Sequence, residues 1–178
     1  MHNFIKKHPV VFVLTCLAVF FLIFIGMSNF SGSPEKRAAY ILEDSRLSKL
    51  PKSAVDVKTD AWFGIFAGEA YLMFKASAEQ IQEFINTSPS IKDLKPEVFN
   101  SEKQYLQAKT QLERDSKNQR GRHKYYWAGF QSPSWYDPTI TIKGRRYKVP
   151  NAQHPEWAGG DVVVNDDTGY VYIHISFD

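Results

Sequence analysis

The densest chemistry in this 178-residue chain is a basic and aromatic run, Arg120-Gly121-Arg122-His123-Lys124-Tyr125-Tyr126-Trp127, followed by Phe130, Trp135 and Tyr136. Guanidinium and ammonium groups neutralise anions, and neighbouring rings offer stacking faces. With the later cations added, the candidate partner-binding set is Arg120, Arg122, Lys124, Trp127, Trp135, Tyr136, Arg145, Arg146 and Lys148. Such a mixture suits an acidic protein surface, an anionic envelope polymer or lipid headgroups, and also nucleic acid. The opposing reading is that the rings fill a core while the cations solvate a loop. Charge is segregated along the same stretch. Lys103 to Lys148 holds eleven Lys or Arg against three acids, whereas Val149 to Asp178 holds five acids and no Lys or Arg. This marks either a basic face or charges that complement each other on adjacent strands.

Other reactive residues assemble into nothing recognisable. His123, His154 and His174 are scattered, the single cysteine is Cys16, and no metal-ligand spacing results. His174 alternates with two tyrosines and reads as a hydrogen-bonded surface histidine. Asn165-Asp166-Asp167-Thr168-Gly169 has a superficial likeness to a calcium loop but lacks its alternating carboxylates, and hairpin chemistry explains it. Ser33-Pro34-Glu35-Lys36 spells Ser-x-x-Lys without the companion motifs of penicillin-recognising enzymes, and a helix cap is the ordinary reading. A Gly-x-Ser-x-Gly elbow and the glycine loops that cradle phosphates are absent. No catalytic, cofactor-binding or metal-binding residue is nominated, and the chain is not expected to be an enzyme. The rival class is a cell-wall-directed hydrolase with an Asp/Glu or His site, which requires carboxylates or His154 and His174 to converge with shifted pKa values.

These groups must be positioned by the elements around them, and the first element is apolar. Val10 to Met27 carries no charge, and thirteen of its residues are Val, Leu, Ile or Phe. As a helix it spans roughly 27 Å, close to a bilayer's hydrocarbon core, with an insertion free energy on the order of −4 to −8 kcal/mol. The run exceeds a cleavable signal's apolar region, and Gly26-Met27-Ser28 is a poor cleavage site. An uncleaved signal-anchor is therefore expected. Residues 1–9 would be cytoplasmic, 10–27 would cross the bilayer, and 28–50 would form a linker and juxtamembrane helix. Residues 51–178 would form one extracytoplasmic domain. That orientation disfavours nucleic acid as a partner.

Within the rest, Ser33-Pro34-Glu35 starts a helix expected to run to about Leu50 as a stalk, with Ala39, Ile41, Leu42 and Leu47 apolar. Ala54 to Trp62 and Glu69 to Lys75 read as strands, the second placing Ala70, Leu72 and Phe74 on one face. Capping boxes at Ser77–Gln80 and Ser101–Gln104 open two further helices. Thr139 to Ile142 and Arg145 to Val149 read as a hairpin, and so do Asp161 to Val164 and Tyr170 to Phe177. The expected fold is α+β: a transmembrane helix, then an antiparallel sheet packed on one or two helices, the main cover being the 78–86 helix.

Leu50-Pro51-Lys52-Ser53-Ala54, Phe74-Lys75-Ala76-Ser77-Ala78-Glu79, Trp135-Tyr136-Asp137-Pro138, Gly144-Arg145-Arg146-Tyr147 and Asp167-Thr168-Gly169-Tyr170-Val171-Tyr172-Ile173 together give a pattern over Leu50 to Phe177. It resembles small membrane-tethered bacterial envelope proteins of no assigned activity, some of them lipoproteins. The resemblance implies an envelope location and no catalytic residue. The functional expectation is a single-pass envelope protein that binds a protein partner or an anionic envelope component, an inhibitor or immunity role being one form of it.

Overall fold

Strict alternation lets a strand bury one face, and residues 170–176 of this chain alternate half-buried and buried in that way. The structure is a computed structural model that describes residues 14, 15, 17, 32–63, 68–110, 132–138, 140, 142–150 and 158–177. Two packing units divide it, Met1–Arg37 and Ala38–Asp178. In the first, Leu14, Thr15 and Leu17 are helical, and both leucines are well exposed. The rest of the expected membrane span, 10–27, lies outside the described residues. Among the described residues no helix is long and apolar enough to cross a membrane.

The second unit is α+β. Its six-stranded antiparallel sheet has the order β1-β2-β6-β5-β4-β3, built from β1 (Val55–Phe63), β2 (Gly68–Lys75), β3 (Glu97–Phe99), β4 (Gly144–Pro150), β5 (Ala158–Asn165) and β6 (Tyr170–Phe177). Two helices precede or interrupt them, α1 (Pro34–Asp44) and α2 (Ala78–Thr87), and residues 102–110 are also helical. One sheet face presents Ala70, Leu72, Phe74, Val162, Val164, Val171, Ile173 and Ile175, and Ile81, Phe84 and Ile85 of α2 share their core. Each such buried aliphatic or aromatic side chain contributes roughly 1.5–3 kcal/mol. Ser77 caps α2 by accepting the Gln80 amide, as the capping box implies.

Three expectations are corrected. First, α1 stops at Asp44 rather than near Leu50. Arg46 adopts φ 55°, the Leu47 amide donates to the Leu42 carbonyl (2.8 Å) and the Arg46 amide to Glu43 (3.1 Å), a Schellman stop made without glycine. Ala39 is exposed, and Ala38, Ile41 and Leu42 are buried in the domain core, so this part of the helix is no stalk. Second, Ile140 and Ile142 lie outside any strand, and the Ile142 and Lys143 amides donate to Asp167 Oδ2 instead (2.8 Å each). Third, β4 pairs with β5 and with the short β3, an element the sequence reading missed.

The opposite sheet face is not bare. Phe99, Tyr105, Ile140 and Val163 form a second small core, with Tyr105 of the 102–110 helix edge-on to Phe99.

Candidate functional site

Beside that second core, the outer face carries a row of polar and aromatic side chains in direct register. Tyr71 of β2 lies opposite His174 of β6, and His174 lies opposite Asp161 of β5. The row continues to Asp60 on β1 and Lys148 on β4. One step along, Met73, Tyr172, Val163 and Arg146 make the neighbouring row. Side-chain period two dictates this: the residues that bury Leu72, Ile173 and Val162 on one face must turn these to the other.

Gly160 makes the β5–β6 approach close enough. Its φ is 152°, and a Cβ there would fall 2.0 Å from the His174 carbonyl oxygen. Only glycine admits that contact, so Gly160 sets the distance between Asp161 and His174.

The imidazole of His174 stacks on the Tyr71 ring (4.9 Å between centroids, 18° between planes). Tyr136, in the segment 132–138, closes over Tyr71 edge-on at 4.8 Å and reaches Tyr172 at 6.0 Å, with Trp135 beside it at 6.1 Å. Tyr71 donates its hydroxyl to Glu69 Oε2 (2.5 Å). The same oxygen stands 3.8 Å from His174 Nε2, within ion-pair range of an imidazolium but too long for a hydrogen bond.

Two polar atoms here are shut from solvent with no hydrogen-bond partner among the described residues, the Tyr136 hydroxyl and His174 Nε2. Leaving such groups unpaired costs about 1–3 kcal/mol each. The site is not sealed, since the side chains of His174 and Glu69 keep 29% and 28% of their accessible surface.

Asp161 is the electrostatic centre. Burial pushes its carboxyl up, and what offsets burial is charge on His174 and Arg146, not a hydrogen bond. Burial and then the Asp161 charge raise the hydroxyls of Tyr105 and Tyr136, and burial, Glu69 and Asp161 raise that of Tyr71. Three tyrosines from three segments therefore feel one carboxylate.

The nominated residues fare differently. Arg120, Arg122, Lys124 and Trp127 lie outside the described residues, as do His123 and His154. Trp135 and Tyr136 are in contact, and Tyr136 belongs to the site above. Arg145 and Arg146, adjacent on β4, point to opposite faces. Arg145 chelates Asp166 (2.8 Å from Nη2 to Oδ1) and donates to Gln82 of α2 (2.9 Å). Arg146 is buried, paired with Glu97 (3.1 Å from Nε) and laid over the Phe99 ring at 5.7 Å. Lys148 is exposed. The structure thus brings Trp135 and Tyr136 together and separates the two arginines.

Glu69, Tyr71 and Asp161 were not singled out by sequence reasoning. The signal for them was the second face of β2 and β6, polar and aromatic where a solvent face would be charged. The Asn165–Gly169 turn is consumed structurally: Asn165 Oδ1 accepts the Asp167 and Thr168 amides (3.1 Å each), Asp166 holds Arg145, and Asp167 holds Ile142 and Lys143. Among the described residues no three His, Cys, Asp or Glu side chains converge to hold a metal ion.

Comparison with protein-family models, with curated proteins and with solved structures gives no significant match.

Proposed function

We propose that this chain is a single-pass, membrane-anchored envelope protein whose α+β domain binds a protein partner on the outer face of its sheet, without catalysis. The anchor reading rests on the uncharged run over 10–27 and on the exposure of Leu14 and Leu17 within a helix. The observation that carries the binding reading is a partly open aromatic setting in which Tyr136 Oη and His174 Nε2 find no hydrogen-bond partner among the described residues. A fold that only needed stability gains by replacing such groups with apolar ones, whereas a partner that completes their hydrogen bonds gives a reason to keep them. A protein partner is favoured over an anionic polymer because Arg145 and Arg146 occupy opposite faces and each is already neutralised by a carboxylate.

A photo-crosslinking residue placed at Ser176, beside Glu69 on the outer face, tests this reading in cells, with Glu83 on exposed α2 as control. Discrete adducts from position 176 and none from 83 are expected. Adducts at neither position, or equally at both, reject the outer-face assignment. A topology reporter fused after Asp178 tests the compartment.

A second reading, a hydrolase acting on cell-wall material, is favoured by one feature: an imidazole lying between Glu69 and Asp161. Turnover of peptidoglycan fragments that vanishes in Asp161→Asn would establish it over the binding role.

A further inference from the structure

We propose that two copies of this chain join edge to edge through β1, antiparallel about a two-fold axis at Thr59, so that their sheets run on as one. This inference is independent of the outer-face binding role, because it concerns the rim of the sheet and not its face.

β1 is an end strand, with β2 as its single neighbouring strand among the described residues. An end strand offers backbone donors and acceptors to a further strand, and proteins blunt that edge with charges and bulges. β1 carries both devices, at positions that leave most of its length regular. Its bulge falls between Val55 and Lys58, where Asp56 takes φ 53° and accepts the Tyr170 hydroxyl at 2.9 Å. From Lys58 to Phe63 the register with β2 is unbroken. The charges on that regular stretch are Lys58 and Asp60, both exposed and neither in an ion pair among the described residues. Period two turns Val57, Thr59 and Ala61 toward the core side, and Lys58 and Asp60 toward the outer face. Antiparallel neighbours set residues of the same face opposite each other, so a two-fold axis must pass through a residue and not between two. Through Lys58 the axis would set lysine on lysine, and through Asp60 carboxylate on carboxylate. At Val57 it would fall inside the bulge, and at Ala61 it would leave both charges without a counter-charge opposite. Only at Thr59 does Lys58 of each copy face Asp60 of the other, with Val57 beside Ala61 on the core side. Opposite charges directly across a strand pair stabilise it, and like charges destabilise it. The charge pattern of β1 is thus complementary to itself in one register, which is what an isologous contact with a second copy requires.

The test follows the mass of the full chain in detergent micelles against protein concentration, by sedimentation and native mass spectrometry. The parent is expected to dimerise. Lys58→Asp and Asp60→Lys should each weaken the dimer by about tenfold or more, since each turns two attractive pairs into repulsive ones. The double variant, Lys58→Asp with Asp60→Lys, remakes both pairs with reversed sign and should dimerise like the parent. An equimolar mixture of the two single variants should form heterodimers, because one copy then presents two carboxylates to two lysines of the other. Association through the apolar run at 10–27, or through another face, has no reason to follow these charges. Dimers of undiminished strength in both single variants therefore overturn the proposal, and so does a parent that stays monomeric across the micromolar range. The mixture decides where a single variant folds poorly, since mixing two misfolded chains restores nothing. Heterodimers there uphold the β1 contact, and their absence overturns it.

Discussion

At the residue scale the informative side chains are those kept in an unfavourable state. Asp161 is raised by burial, so its folded form holds the proton more tightly than the unfolded chain does. Linkage then gives the sign: below the ordinary value of 3.8 the penalty is absent, and stability is lost as pH rises through the native value. Asp161→Asn should therefore melt above the parent at pH 7, with the gap closing toward pH 3 in paired thermal scans. The groups facing Asp161 are Tyr71, Tyr105, Tyr136, Arg146 and His174. Tyr136→Phe deletes a buried hydroxyl that bonds nothing among the described residues, so the melting temperature should hold or rise while the site loses a partner group. A fall of several degrees would mean the hydroxyl already has a structural bond. Arg146 behaves in the opposite way. Glu97→Ala strips a buried guanidinium of its carboxylate and should cost about 1–2 kcal/mol in denaturant titrations, reduced from the fully buried case because Glu97 is 44% exposed. For the same reason a charge reversal at Arg146 reports on folding before it reports on any partner.

At the element scale, the strands and α2 were legible because their periodicity and caps are local. Leu72, Phe74, Val171 and Ile173 alternate without interruption, and Ser77 caps α2 within its own turn. One failure arose because tertiary bonds replaced local ones. Thr139 to Ile142 alternates like a strand, yet Asp167 reaches across to take the Ile142 and Lys143 amides, and β4 finds its partners in β5 and β3. The stop of α1 was hidden because Arg46, not glycine, takes the left-handed position. The site was half visible: the tyrosine and histidine face of β6 could be read, but Glu69 and Tyr71 arrive from a strand distant in sequence, and Asp161 through the register of the β5–β6 pair. Gly160 shows how strongly the element geometry serves that face. Gly160→Ala would place a Cβ 2.0 Å from a backbone oxygen that cannot rotate away. The β5–β6 pair must shift, and we expect slower-exchanging amides of β5 and β6 to lose protection together in hydrogen exchange. Ordinary protection in β5 and β6 of that variant would show that the approach is less close than drawn.

At the scale of the whole molecule, the division between the two packing units falls inside α1. Ala38, Ile41 and Leu42 belong to the domain core, so the head begins about a dozen residues before the boundary that Pro51 suggested. This makes truncation diagnostic. A chain starting at residue 32 retains every buried side chain of that core and should be a folded, monodisperse protein that partitions to the aqueous fraction. A chain starting at residue 46 loses Ile41 and Leu42 from a packed interior, a deficit of roughly 3–6 kcal/mol on area alone, comparable with the whole stability of a domain this size. It should be unfolded or aggregate, as circular dichroism and thermal scans would register. The full chain, by contrast, should stay with membranes through alkaline carbonate if residues 10–27 are embedded in lipid. Should the full chain wash off while the residue-32 chain folds normally, the head would stand as a competent binding domain and the tether would not. If the residue-46 chain folds with unchanged stability, the packing of α1 against the sheet is wrong. The two measurements thus separate what the first 31 residues do from what the next dozen do, which length and hydropathy leave merged.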